Sequence, residues 1–170
     1  MLELTLRCDD DTLITALAAL AELRPFALTA PTAVHAVNDP TADRFQAADG
    51  IVTDTHTGLQ WSQEDTTAKA VPWAAAEAAC RALRLGGHDD WRLPTRTELL
   101  TLVDDTRHEP AIDTEAFPAC KSEWYWTGTP YAPSPAAFAW LVCFGSGSAS
   151  GFHRDGYNRV RAVRGPARQF

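Results

Sequence analysis

The sequence has no C-x-x-C pair, no apolar run long enough to span a bilayer, and no surplus of basic residues. Each absence excludes something. Cys8, Cys80, Cys120 and Cys143 are scattered, so neither a paired-cysteine zinc site nor a vicinal dithiol is indicated. An even count permits disulfides, but the first residues, MLELTLRCDDD, carry acids where a secretory signal needs a cationic start and an apolar run. The expectation is a chain made in the cytoplasm, with reduced thiols and no membrane insertion. A formal net charge of -7 argues against direct nucleic-acid binding, which needs Lys and Arg to replace counterions. H-E-x-x-H, EF-hand and G-x-S-x-G patterns are missing as well.

What is present is a 170-residue chain, 45% hydrophobic, with six tryptophans. That length fits one domain with a small appendage, large enough to bury a real core. Tryptophans in this number build a core of flat rings or a surface that grips a ligand by stacking. Charge is unevenly spread. The first fifty residues hold most of the acidic surplus, including Asp9, Asp10 and Asp11. From Phe152 onward the chain is basic, with Arg154, Arg159, Arg161, Arg164 and Arg168, which can pair with acidic surface of the same molecule.

Residues 1–43 read as an N-terminal extension. LELTLRC alternates as a half-buried strand does, Asp11 or Thr12 caps the helix TLITALAALAELR, and a Pro-containing linker follows. Residues 44–170 read as the main domain. FQAADGIVTD and LQWSQ form a predicted hairpin that turns through His56-Thr57-Gly58. VPWAAAEAACRALRLGG predicts a helix with Pro72 in its first turn and Gly86 at its left-handed exit.

The segment GGHDDWRLPTRTEL poses the sharpest choice between a catalytic loop, a metal site and a structural joint. Thr95 and Glu98 have capping-box spacing, Pro94 holds the entering chain extended, and Leu99, Leu100, Leu102 and Val103 supply an apolar face. Trp91 and Leu93 are then inward residues, with Arg92 between them facing the other way. A joint accounts for every residue. His88, Asp89 and Asp90, with Asp104, Asp105 and Asp113, offer oxygen ligands for a structural cation, but a solvated turn is the preferred reading and no metal is assigned.

EWYWTGTPY, FAWLVCFGSG and RVRAVRG predict later strands. The loop between the last two, GSGSASGFHRDGYN, alternates small residues with contact-making ones. Ser146, Ser148, Ser150, Phe152, His153, Arg154, Asp155, Tyr157 and Asn158 are its candidate ligand-binding residues, because Gly and Ser adapt while Tyr, His and Arg supply area and directed hydrogen bonds. Trp124, Tyr125, Trp126, Tyr131 and Trp140 are candidates for an aromatic wall beside it, some of them necessarily core by strand alternation. The fold class is α+β, with two helices and a mainly antiparallel sheet.

In order, DGIVTDTHTGLQWS, W-x-x-A-x-x-x-C-x-x-L from Trp73 to Leu83, GGHDDWRLPTRTELLTLVD, YWTGTP, AWLVCFGSG and VRAVRG resemble the Lcl C-terminal domain family. The resemblance implies a C-type-lectin-like fold, related to formylglycine-generating enzymes and to retroelement variable proteins, with two helices flanking a small twisted sheet. It also implies a binding face made by C-terminal loops, and an occurrence at bacterial surfaces and in phages and prophages. Where relatives often carry a cysteine in the final strand, this chain has Ala162, so a disulfide from Cys80 to that strand is excluded. Residues 1–43 lie outside the resemblance.

Three functions follow as expectations. The first is a non-enzymatic recognition module without cofactor, taking a protein or glycan ligand on residues 146–158. The second is an intracellular acidic inhibitor, such as a phage protein that blocks a host defence complex, with Asp9, Asp10 and Asp11 as the partner patch. The third is an enzyme related to the formylglycine generators, for which Cys143 is the one candidate thiol and reads as a buried, inert sheet residue. Residues 1–43 are the candidate homo-oligomer contact, and action in a host cytoplasm or on a virion fits a phage-encoded chain.

Overall fold

The computed structural model describes residues 43–165. Seven strands and two helices follow one another: β1 (Phe45–Ala48), β2 (Ile51–Asp54), β3 (Gln60–Ser62), α1 (Trp73–Ala82), α2 (Arg96–Leu100), β4 (Trp124–Pro130), β5 (Phe138–Cys143), β6 (Ala149–His153) and β7 (Val163–Arg164). They form two antiparallel sheets, ordered β1-β2-β3-β7 and β4-β5-β6. The mixed α/β character and the two helices match expectation. A second sheet takes the place of the single one expected.

The first departure lies in FQAADGIVTD. It is two strands, because Asp49 and Gly50 both adopt positive φ, 52° and 76°, and turn the chain back on itself. An Asp-Gly pair with both residues left-handed makes the tight hairpin turn whose twist matches its strands, and Gly accepts that conformation without steric cost. β1 then pairs with β2, from Phe45 opposite Asp54 to Ala48 opposite Ile51. β3 pairs with both β2 and β7, so the two ends of the described segment close one sheet.

α1 begins at the expected place, with Pro72 as its N-cap, but ends at Leu83, whose extended backbone stops the helical ladder. Gly86 is left-handed, as expected, but in the turn that bridges Leu85 and His88 beyond the helix. α2 is short and carries the full capping box: Glu98 N donates to Thr95 Oγ1 at 3.1 Å and Thr95 N donates to Glu98 Oε2 at 2.8 Å. Arg92 adds two bonds to the same carboxylate, at 2.8 and 2.7 Å. Arg92 also exchanges both backbone hydrogen bonds with Val163. The WRLPT segment is therefore a joint that ties α2 to the last strand.

Both faces of β4 and β5 carry buried side chains. Cross-strand partners share a face, so Tyr125 and Val142 join one core cluster with Trp61, Leu99, Phe117 and Phe144. Trp126, Leu141 and Ala139 face the other way, into a cluster with Trp91, Leu93, Ala76 and Cys80. Tyr125 and Trp126 are thus both fully buried although adjacent in sequence. The Trp126 indole N–H donates to Val71 O at 2.8 Å, and the Trp73 indole N–H donates to Thr127 O at 2.9 Å, which clamps the start of α1 to β4. Among the described residues, no helix is long and apolar enough to cross a membrane.

Candidate functional site

The segment 145–158 is a strand as much as a loop. Its first part is the β5–β6 turn, where the Ser146 and Ser148 hydroxyls share a 2.9 Å hydrogen bond. Then β6 pairs along β5, from Ala149 opposite Val142 to His153 opposite Phe138. Small residues with one Phe do not predict a strand by propensity; the pairing with apolar β5 makes it one. After His153 the chain turns, with Gly156 N donating to His153 O, and returns to the far edge of β4. There Arg159 N donates to Trp124 O, and Trp126 N donates to Arg159 O.

This path scatters the nine predicted residues over several places. Ser150 and Phe152 point to the face of β6 that carries Leu141 and Ala139. His153 points to the opposite face, where its ring stands edge-on to Phe138 at 5.2 Å. Ser146 and Ser148 are exposed at the distant turn. Arg154 turns aside, its guanidinium 4.0 Å from the centroid of the Trp73 ring and its Nε donating to Phe138 O at 3.4 Å. Asp155 is almost fully exposed, its carboxylate 3.5 Å from His153 Nδ1. Asn158 is 8% exposed and held by backbone bonds to Val71. Its position where the returning strand passes beneath the sheet is what buries it.

The first face holds a cup of about 200 Å³ lined by Trp124, Leu141, Ser150, Phe152 and Asn158. Four of its features suit recognition. Phe152 is 46% exposed, and its ring lies against Gly156 and 6.4 Å from that of Trp126. Tyr157, 70% exposed, directly precedes Asn158. The Asn158 side-chain nitrogen is buried with no hydrogen-bond partner among the described residues. The Trp124 wall is fixed by the Arg159 backbone bond already described. Among the described residues, Phe152 and Tyr157 are the two exposed large hydrophobic side chains.

The opposite face carries a ridge of rings. Arg96 stacks on Trp140 at 4.2 Å, Tyr131 meets Trp140 at 5.0 Å and Phe138 at 6.2 Å, and Phe138 meets His153. Tyr131 lies directly over Gly151: a Cβ there would sit 2.5 Å from Tyr131 Cδ2. Of the expected aromatic wall, Trp124 lines the cup, Tyr131 and Trp140 form this ridge, and Tyr125 and Trp126 belong to the core.

Sequence reasoning missed a buried polar network on the far side of β4. Arg161 is fully buried, its Nη1 donating to Ser62 O at 2.6 Å and Gln63 O at 2.7 Å, with its guanidinium over the Phe117 ring at 4.7 Å. Asp65 lies 3.5 Å from Arg161 Nη2 and accepts a 2.9 Å bond from the Tyr125 hydroxyl. Burial raises the Asp65 carboxyl above its ordinary range despite the Tyr125 and Arg161 contacts, and burial also raises the Tyr125 phenol. No period of two in VRAVR signals it, since Val160, Arg161, Ala162 and Val163 are all buried in succession.

The three described cysteines are free. Burial pushes the Cys80 thiol up to about 12 and raises that of Cys120, which disfavours the thiolate. Cys143 is buried in β5. Cys80 and Ala162 share one core cluster, so the position where relatives often carry cysteine is filled here by a methyl group. Three of the acidic residues weighed as cation ligands have other tasks. Asp90 pairs with Arg164, Asp104 with Arg107 and the Thr106 amide, and Asp113 caps the amides of Glu115 and Ala116. Among the described residues no group of three His, Cys, Asp or Glu is placed to hold a metal ion. Asp9, Asp10, Asp11 and the predicted N-terminal strand and helix lie outside the described residues.

A search of curated proteins gives no match. A family model does match, the Lcl C-terminal domain, over residues 50–164. That span runs from the Asp-Gly turn to β7 and includes both sheets save β1, both helices, the cup and the ridge. With most of its length inside that match, the chain belongs to the Lcl C-terminal domain family.

Proposed function

We propose that this domain is a non-enzymatic recognition module, carried on a C-type-lectin-like frame, that takes a protein or glycan ligand on the face formed by β6 and the segment returning from it. The observation that carries the reading is an apolar cup lined by the half-exposed ring of Phe152, with the exposed Tyr157 next in the chain to Asn158, another residue of its lining. Exposed aromatic side chains beside a concave apolar surface are the usual anchors of binding. The scaffold beneath is rigid, since Trp126, Leu141 and Trp124 are fixed by ladder bonds and core packing. Support for a non-enzymatic role comes from the thiols, which are buried or raised out of the reactive range, and from Ser146 and Ser148, whose hydroxyls bond to each other. The reading suits a chain made in the cytoplasm, including a phage-encoded one acting in its host or on the virion.

The test is capture from a bacterial extract by the full chain, repeated with the double variant Phe152→Ser, Tyr157→Ser. Truncating two aromatic anchors is expected to weaken every specific partner by about 100-fold or more while leaving the melting temperature nearly unchanged. Retention of all partners by the folded double variant would remove the proposal.

A further inference from the structure

β6 is an open edge. Its hydrogen bonds to β5 come from alternate residues: Cys143 N donates to Ser148 O at one end and Arg154 N donates to Ala137 O at the other. With the register between these bonds continuous, Ser150 and Phe152 direct their backbone groups toward β5, and Ala149, Gly151 and His153 direct theirs outward. Among the described residues the N–H groups of these three have no acceptor, and Ala149 O has no donor. Gly151 O accepts only a 3.5 Å bond from Ser150 Oγ, and His153 O accepts from Gly156 N. The opposite edge of the sheet, on β4, is covered by Arg159 and Pro94. The strand Ala-Ser-Gly-Phe-His also lacks the Lys, Glu or Pro that ordinarily guards an open edge.

We propose that β6 is a docking edge for an extended polypeptide strand that seats an apolar side chain in the adjoining cup and carries a basic residue at each end. The inference rests on the recognition reading above and narrows its ligand to polypeptide. Outward N–H and C=O groups at every second residue match an added strand and give it affinity, while flanking pockets choose its side chains. On one face an incoming side chain meets Ser150, Phe152 and the cup; on the other it meets Tyr131 lying over Gly151. Charge sets the ends. Asp105 is exposed beside the turn that precedes β6, its Oδ1 3.9 Å from where a Cβ on Gly147 would stand. Asp155 is exposed beyond the other end. Neither carboxylate pairs with a Lys or Arg among the described residues, since Arg107 is taken by Asp104 and Arg154 by the Trp73 ring.

The experiment is a titration of the isotopically labelled full chain, followed by NMR. The probes are acetylated, amidated heptapeptides of the form Lys-Thr-X-Thr-X-Thr-Lys, where X is Val, Leu, Phe or Tyr. The amides of Ala149, Gly151 and His153 are expected to shift and saturate with at least one member of the set. Replacing both peptide lysines by glutamate is expected to weaken binding by about tenfold or more. N-methylating alternate peptide nitrogens should abolish binding in one register and leave it intact in the other, a distinction that general charge attraction does not make. Ala149→Pro, which removes an outward donor and no bond to β5, should weaken the same peptides; if that variant misfolds, the N-methyl series decides alone.

The proposal is overturned if no peptide shifts these amides at about 1 mM, or if both N-methyl registers bind alike. It is also overturned if a captured partner depends on Phe152 and Tyr157 but not on Ala149→Pro, or if oligosaccharides bind this face without moving the β6 amides. In those last two cases the recognition module stands and strand addition falls.

Discussion

Arg161→Ala is expected to destabilise the domain by about 3–5 kcal/mol, the cost of breaking a buried charge pair by removing one partner. Three losses combine. Ser62 and Gln63 lose the donor to their carbonyls, Asp65 loses its nearest buried cation, and the space over the Phe117 ring empties. Arg161→Lys does not restore the arrangement, because one ammonium cannot cover two carbonyls and a ring face as the planar guanidinium does. Arg161→Met with Asp65→Asn, which removes both charges and keeps volume, is expected to recover much of the loss. Urea denaturation of the four proteins checks this, and a loss below about 1 kcal/mol for Arg161→Ala would contradict it.

Glu98→Ala is expected to cost about 2–4 kcal/mol, from the lost cap and the charge-assisted bonds to Arg92. The carboxylate is fully buried and bonds to the Arg92 guanidinium and the Thr95 amide. Burial alone would raise this carboxyl, but those bonds outweigh it and hold Glu98 below its ordinary value of 4.5. Asp54 follows the same pattern, with burial opposed and outweighed by Arg44 and by the Thr57 and His56 contacts. A carboxyl lowered in the folded state contributes stability that is present above its unfolded value and lost as pH falls through the folded one. Asp65, raised by burial, acts in the opposite sense, favouring the fold below its ordinary value and losing that contribution as pH rises. The expected profile is stability falling below about pH 4.5, with a shallower fall in Glu98→Gln. Urea midpoints measured from neutral to acid pH test it, and an unchanged slope in Glu98→Gln would count against the Glu98 assignment.

Local chemistry was the legible part of the sequence. Thr95 and Glu98 announce the capping box because both partners sit within one helical turn. The Trp91 and Leu93 alternation announced burial for the same local reason. The Asp49-Gly50 hairpin was equally legible, since an Asp-Gly pair between alternating residues is a strong turn signal, but the apolar flanks read as one long strand. What could not be read depended on distant partners. β6 is a strand because β5 is beside it, and its period of two then parts Ser150 and Phe152 from His153, which a contiguous list of contact residues conceals. Asn158 is buried because the chain passes under the sheet to pair with Trp124 and Val71. Arg161 meets its carbonyl acceptors almost a hundred positions away, beyond any local pattern.

The recognition face is tested most directly by amide hydrogen exchange of the full chain with and without a captured partner. The account predicts slowed exchange across Trp124 and residues 149–158, with little change at the Ser62–Thr66 side of the domain, where Asp65 and Arg161 stabilise the fold. Protection confined to that side, or to residues 1–43, with 149–158 unchanged, would contradict it.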